Sequence, residues 1–108
     1  MDQLLNLEQD SQELQALFEE ILESKNVYYN PPESMQMNYN AIRFSRSRIS
    51  GRFANNRPYN HNNCYEVIVI TEDPDDPVIS KLWALPMCTH DRHYVADNLH
   101  HNVFTLYH

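Results

Sequence analysis

Glycine is almost missing from this chain: Gly51 is the only glycine in 108 residues, where average usage of about 7% would give roughly eight. Phosphate-binding loops, dinucleotide-binding fingerprints and nucleophile elbows need glycine at defined positions. The sequence therefore excludes these glycine-built sites. Asparagine, with twelve residues, is the next residue type that tolerates a positive φ. We expect asparagine, aspartate and proline to form the turns.

Long apolar runs and paired cysteines are also missing. No stretch approaches the 18 or so apolar residues of a membrane span, and the N-terminus is acidic where a signal peptide would be basic and then apolar. We expect a soluble protein that is intracellular when made and has no membrane partner. The two cysteines, Cys64 and Cys88, form no CxxC pair. They are predicted to be small core residues rather than a disulfide framework.

The size of the chain allows one ordinary domain. The mass is 12.8 kDa, with 42% apolar and 21% charged residues, a composition typical of a globular protein and not of a disordered one. We expect a single domain over residues 1–108.

Charge is distributed in blocks of alternating sign, although the net charge is −7. Residues 1–25 hold seven acids against one lysine, residues 34–65 hold five arginines and no acid, and residues 66–76 hold five acids and no base. Such blocks predict an acidic and a basic surface that steer a partner or a second copy of the chain. Ordinary solvated surface is the alternative for any single block.

The first part of the chain predicts one amphipathic helix and one strand. Apolar residues recur at helical spacing from Leu14 to Leu22, and Asp10 followed by Glu13 resembles a capping box, so the helix is expected over about 10–25. Residues 27–29 are extended formers ahead of two prolines. Residues 39–44 predict a strand, and a long basic hairpin loop is expected over about 45–62.

The second part predicts a central strand, a short helix and a hairpin. Residues 64–71 are β-branched and almost all apolar, which is typical of a central strand. Residues 78–85 predict a helix with Val78, Leu82, Trp83 and Leu85 inward. A hairpin follows over about 88–107, turning at Asp97 and Asn98. The predicted fold is α+β: one mostly antiparallel four-stranded sheet with the N-terminal amphipathic helix and the second short helix packed on it.

Six histidines invite a metal site, but their spacing argues against one. If residues 88–95 form a regular strand, Cys88 and His90 lie on one face and His93 on the other, while His100 and His101 point in opposite directions. No spacing matches a zinc knuckle or a helical histidine pair. We expect no metal and no cofactor.

The sequence gives little support for catalysis or for nucleic-acid binding. No histidine is fixed beside a serine and a carboxylate, so we expect no enzyme. The arginine-rich segment, with aromatic residues interleaved, could contact nucleic acid. The acidic total and a pI near 5.2 argue against that as its main task.

Several motifs together resemble the small tail-completion or tail-terminator proteins of long-tailed bacteriophages. The resemblance covers residues 27–107 and rests on VYYNPP, YNAIRF, the Ala-Asn-Asn-x-x-Tyr segment at 54–59, the strand from Tyr65 and the DPDDP turn. Its strongest part lies in the closing segment, at Asp91, Arg92, Tyr94, Asp97, Asn98, Leu99, His101, Phe104, Leu106 and Tyr107. Where relatives tend to have Tyr-Pro before the first strand, this chain has Tyr39 and Asn40.

The resemblance implies a virion structural protein with a small α+β fold. Such proteins form a ring, usually of six copies, on the last ring of the tail tube. The ring stops tube polymerisation and binds the head-completion or connector proteins, while genome DNA passes through its lumen without sequence-specific binding. It implies a location in the virion, at the head-tail junction, after assembly in the host cytoplasm. A small phage or prophage protein that contacts DNA or regulates through residues 43–57 is the alternative.

A ring of identical subunits needs two different, complementary patches on each subunit. We hypothesise that a basic patch meets an acidic patch of the next subunit. The basic residues are Arg43, Arg46, Arg48, Arg52 and Arg57. The acidic residues are Glu19, Glu20 and Glu23, or alternatively Asp73, Asp75 and Asp76. Asp91, Arg92, Asp97 and Asn98 are expected to shape the hairpin rather than to contact a partner.

Overall fold

The computed structural model describes residues 2–32, 34–47 and 64–108. These residues contain two helices and five strands, in the order α1 (Asp2–Leu22), β1 (Val27–Tyr29), β2 (Ala41–Arg46), β3 (Cys64–Thr71), α2 (Pro77–Trp83), β4 (Cys88–Ala96) and β5 (Leu99–Tyr107). Neither helix is long and apolar enough to cross a membrane.

The strands form one mixed sheet in the order β1-β2-β3-β5-β4. The α+β class is confirmed, but the prediction of four strands is wrong. The fifth strand is β1, which pairs parallel with β2 while every other pair is antiparallel. The three residues of β1 are too few to show the alternation of apolar and polar residues by which a strand is recognised in a sequence. Backbone bonds from Ile42 N to Asn26 O (3.0 Å) and from Asn30 N to Phe44 O (2.7 Å) flank the parallel pairing.

Strand β3 occupies the middle of the sheet, as its composition predicts, and its bounds are those expected. Seven of its eight residues are buried and only Glu66 is exposed. Successive side chains of a strand point to opposite faces, so burial of nearly all of them requires cover on both faces of the sheet.

The two helices cover one face, called the helix face below. Leu14 and Phe18 of α1 are fully buried there against Phe44 of β2. The ring of Phe18 meets the ring of Phe44 edge-on with centroids 5.0 Å apart, and the ring centroid of Tyr65 lies 6.1 Å from that of Phe44. These aromatic contacts join α1 to the two central strands.

The second face of the sheet has a smaller apolar cluster. Ile68, Ile70 and Val103 are buried, and the half-buried side chains of Met37 and Leu99 pack against them. Met37 precedes β2 in the chain, so part of the segment between β1 and β2 folds over this face.

Helix α1 begins earlier and ends earlier than the sequence predicts. The capping box expected at Asp10 is wrong, because the helix runs from Asp2 and Asp10 lies in its interior. No glycine or proline occurs between residues 2 and 22 to interrupt it. Glu23, with φ of 58°, takes the left-handed conformation that commonly ends a helix, so the helix stops before Lys25.

Helix α2 is capped by Asp76, whose side chain accepts a hydrogen bond from Val78 N (3.0 Å), and Pro77 occupies the first turn. Val78 and Leu82 are buried as expected. The prediction that Trp83 points inward is wrong, because its side chain is 55% exposed. One residue turns a helix by about 100°, so Trp83 lies outside the narrow stripe that Val78 and Leu82 form.

The C-terminal hairpin turns at the residues expected. Asp97 and Asn98, with φ of 54° and 64°, are the two residues between β4 and β5. Positive φ at both positions is the geometry of a type I′ turn, which suits the twist of the flanking strands. Not every left-handed residue is Asn or Asp, because Glu23 and Met87 also have positive φ.

The buried seam between α1 and the sheet generates the first prediction. Leu14→Ala removes a fully buried side chain and is expected to lower the free energy of unfolding by about 2–5 kcal/mol. Urea unfolding monitored by circular dichroism measures it. The control is Gln12→Ala, an exposed site on the same helix, where we expect a change within about 0.5 kcal/mol. Equal midpoints for the two variants would contradict this packing.

Candidate functional site

The β2–β3 hairpin places the acidic turn after β3 and the end of β2 at different ends of the sheet. β2 runs from Ala41 to Arg46 and β3 returns antiparallel, so the acidic turn after Thr71 lies beside the start of β2. Ser47 and Cys64 lie together at the opposite end, joined by a hydrogen bond from Ser47 N to Cys64 O (2.8 Å). A strand of six residues is about 20 Å long, so β2 separates the acidic turn from the Ser47–Cys64 junction by roughly that distance.

The acidic end contains a cleft of about 330 Å³, called the acidic cleft below. It lies where α1 ends and α2 begins. Its lining residues are Ile21, Leu22, Glu23, Ser24, Asn26, Asn40, Asp76, Pro77, Val78 and Lys81.

Asn40 connects the two sides of this cleft. Its amide Nδ2 donates to Asp76 Oδ2 (3.1 Å), and its Oδ1 accepts from Glu72 N (2.9 Å). Its backbone carbonyl accepts from Asn26 Nδ2 (3.3 Å). One side chain before β2 therefore holds the acidic turn after β3, and the sequence reasoning missed it because nothing in the spacing of Asn40 and Asp76 indicates their contact.

The acids of the turn divide into two groups. Asp76 caps α2, and Asp73 accepts from Asp75 N through Oδ1 (2.9 Å) and from the Thr71 hydroxyl through its backbone carbonyl (2.8 Å). These two residues shape the turn. Glu72, Asp73 and Asp75 are all exposed, so the turn presents three carboxylates to solvent, of which those of Glu72 and Asp75 are not used in these bonds.

The acids of α1 differ in the same way. Glu19 is half-buried and its Oε2 accepts from Gln15 Nε2 (3.1 Å), whereas Glu20 is exposed. Glu23 Oε2 lies 3.7 Å from Lys81 Nζ, with both side chains largely in solvent. Exposed ion pairs of this kind contribute little to stability. The structure thus brings Glu23 and Asp76 to one cleft, although the sequence analysis gave the acids of α1 and those of the turn as alternative acidic patches.

Two of the five predicted arginines lie in the described part of the chain, and both belong to β2. The boundaries expected for the strand and the basic loop are therefore shifted: the strand runs to Arg46 rather than stopping at residue 44. Arg43 is half-buried on the second face, and Arg46 is exposed at the end of the strand. The sheet period puts them on opposite faces, so they form no common patch. Arg48, Arg52 and Arg57 lie outside the described residues.

An apolar groove of about 310 Å³ lies at the end of the sheet where Ser47 and Cys64 meet. It lies between α1, the segment after α2 and the C-terminal strand. Its lining residues are Leu17, Leu85, Pro86, Met87, Leu106, Tyr107 and His108.

The residues expected to shape the hairpin have distinct roles. Asp91 is the extra residue of a β-bulge, because His90 pairs with Phe104 and Arg92 with Val103. The Thr105 hydroxyl donates to the carboxylate of Asp91. The guanidinium of Arg92 lies 5.9 Å from the ring centre of Tyr94, which stacks on His101.

The bulge overturns the expected orientation of the histidines. After one extra residue the alternation of β4 shifts, so His90 and His93 both lie on the helix face, beside Phe104 and Asn102 of β5. His100 lies on this face as well, and its Nδ1 is 3.1 Å from His93 Nε2. No group of three or more histidine, cysteine or acidic residues that could hold a metal occurs in the described ranges.

Both cysteines are free thiols. Cys64 is fully buried and Cys88 is half-buried. Burial raises the pKa of the Cys88 thiol to about 11, and the nearby Asp91 carboxylate adds to the rise. Burial also raises the pKa of the Cys64 thiol. Hydrogen bonds with Ser47 and Tyr107 lower this pKa, but by less than burial raises it. Neither environment activates a thiol as a nucleophile.

Comparison with known proteins found no match: no family model, no curated protein and no solved structure is similar to this chain.

The position of Asn40 generates a prediction for the acidic end. Asn40→Ala removes the bonds to Asp76 and Glu72, and we expect a loss of about 1–3 kcal/mol in the free energy of unfolding. Amide exchange of Glu72 should accelerate more than that of Val67 in the centre of β3. Asn38→Ala, an exposed change nearby, serves as the control. Unchanged protection at Glu72 would contradict the role of Asn40.

The raised pKa of Cys88 predicts its reactivity. In a Cys64→Ala variant at pH 8, we expect Cys88 to react with Ellman's reagent on the order of 100-fold more slowly than glutathione, because its thiolate is scarce. A raised pKa favours the protonated thiol, so the rate should continue to rise with pH up to about 11. Stopped-flow absorbance measures it, with the urea-unfolded variant as control. A plateau near pH 9 would contradict the prediction.

Proposed function

We propose that this protein is a virion structural protein, the subunit of a ring that terminates the tail tube of a long-tailed bacteriophage and joins it to the head-completion proteins. The resemblance of residues 27–107 suggests the class. The observation that carries the proposal is the placement of the acidic cleft and the Ser47–Cys64 junction at opposite ends of one hairpin.

Opposite charge at opposite ends suits head-to-tail association. In a ring the same two surfaces of each subunit meet at every contact, so one surface must complement the other. Glu72 and Asp75 are exposed at the acidic end, close to the cleft that Glu23 lines. The basic residues of segment 46–57 follow directly on the end of β2. The segment of one subunit is expected to contact the acidic end of the next.

The lining of the acidic cleft suits an arginine side chain. Ile21, Leu22 and Val78 offer apolar surface to an aliphatic stem, and the carboxylates of Glu23 and Asp76 lie at the same cleft. Long basic side chains bury their stems in this way while their charge meets polar groups. The cleft is therefore the expected centre of the acidic patch.

A pair of charge-reversal variants tests the ring. Glu72→Lys with Asp75→Lys replaces two acids of the acidic end with bases, and Arg48→Glu with Arg52→Glu replaces two bases of segment 46–57 with acids. In light scattering behind a sizing column at physiological salt, alone or with tail-tube protein, we expect the wild type near six times the chain mass and each variant as monomer. An equimolar mixture of the two variants should restore the ring, because their ends are complementary.

The control is Glu13→Lys with Glu66→Lys, which changes the net charge equally at exposed sites away from the acidic cleft. It should leave the ring intact. Rings formed by each reversed variant alone would contradict the proposed contact. A wild-type monomer or dimer that binds DNA with a steep salt dependence would instead favour the DNA-contacting alternative.

A further inference from the structure

The β-bulge at Asp91 brings together two histidines that a regular strand would place on opposite faces. His93 of β4 lies opposite Asn102, and His100 of β5 lies opposite Val95, so the two histidines occupy diagonal positions on the same face of the hairpin. His93 is exposed and His100 is half-buried. Solvent and dissolved ions therefore reach the pair.

The separation of the two ring nitrogens allows both imidazoles to bind one metal ion. Nε2 of His93 and Nδ1 of His100 are 3.1 Å apart. Metal–imidazole bonds of about 2.0–2.1 Å with this separation give a ligand–metal–ligand angle of about 100°, between the square-planar and tetrahedral values. The rings are inclined by only 18°, with centroids 5.3 Å apart.

We propose that His93 and His100 form a two-histidine site for a divalent late transition ion such as Zn²⁺, Ni²⁺ or Cu²⁺. Neutral imidazole is a preferred ligand of these ions. The ion replaces the hydrogen bond between the two nitrogens and lies to one side of the line that joins them. The ring that donated the hydrogen changes tautomer, moving its proton through water to its other ring nitrogen, so both ligands are neutral and no net proton is released.

The neighbouring groups define the rest of the site. The third histidine of this face, His90, is held by Asn102, with His90 Nε2 2.9 Å from Asn102 Oδ1, and it stacks on Trp83. Asn102 is buried, which holds that pair in place. The protein therefore supplies two ligands and water supplies the others. Such a site binds a metal ion more weakly than a closed site with four protein ligands. Bound metal would cross-link β4 to β5 close to their turn.

Calorimetric titration of the full, untagged chain with ZnCl₂, and separately with NiCl₂, tests the site. We expect one ion per chain at His93 and His100. His93→Gln and His100→Gln remove ligands from different strands, and each should weaken binding at least tenfold. The matched control is His101→Gln, next to His100 on β5 but on the opposite face, stacked on Tyr94. It should bind as the wild type does.

A thermal-unfolding measurement separates ligand loss from damage to the fold. Zn²⁺ should raise the melting temperature of the wild type and of His101→Gln, but not that of His93→Gln or His100→Gln, and all four should melt alike in EDTA. Equal affinity in all three variants, or no heat of binding to the wild type up to 1 mM metal, would overturn the site. Binding lost in only one of the two ligand variants would also overturn it.

Discussion

Burial of β3 on both faces is the constraint from which the rest of the fold follows. Val67 and Val69 require the cover that α1 and α2 supply, while Ile68 and Ile70 require cover on the other side. Such a buried strand needs hydrogen-bonding neighbours on both sides: β5 pairs with all eight of its residues and β2 pairs with residues 65–70. Both helices and the segment that carries Met37 are therefore needed to bury one strand of eight residues.

The pairing of β3 with β2 also determines at which end of the sheet the acidic turn lies. Because β2 and β3 pair antiparallel, residues close to the β2–β3 connection are held at one end and residues after β3 at the other. The exposed acids of the turn after β3 and the exposed Arg46 at the end of β2 therefore lie at different ends of this hairpin. Asn40 supplies the remaining contact, since it binds the turn after β3 from the residue before β2.

The parts of the fold that local patterns dictate were predictable from the sequence. β3 shows a continuous apolar run, and the turn at Asp97 and Asn98 shows the residue types that tolerate positive φ. β1 was not predictable as a strand, because its three residues gain their pairing only from β2. The α1 start at Asp2 was not predictable, because Asp10 and Glu13 resemble a capping box although they lie inside the helix.

The candidate sites were less predictable than the fold, for a specific reason. Acidic residues at Glu23 and Asp76 were visible as charge, but their meeting at one cleft depends on how α1 and α2 pack. The histidine pair depends on a single extra residue in β4. Strict alternation puts His93 on the wrong face, and a one-residue shift reverses every later side chain.

Both edges of the sheet are poor templates for pairing with a further strand. β1 is one edge; it is three residues long and is followed closely by Pro31 and Pro32, which cannot donate backbone hydrogen bonds. β4 is the other edge, and its bulge and the charges of Asp91 and Arg92 interrupt a regular ladder. Short strands, prolines, bulges and charges all oppose addition of a further strand. If subunits associate as we propose, the contact is therefore expected at the ends of the sheet and not through an added strand.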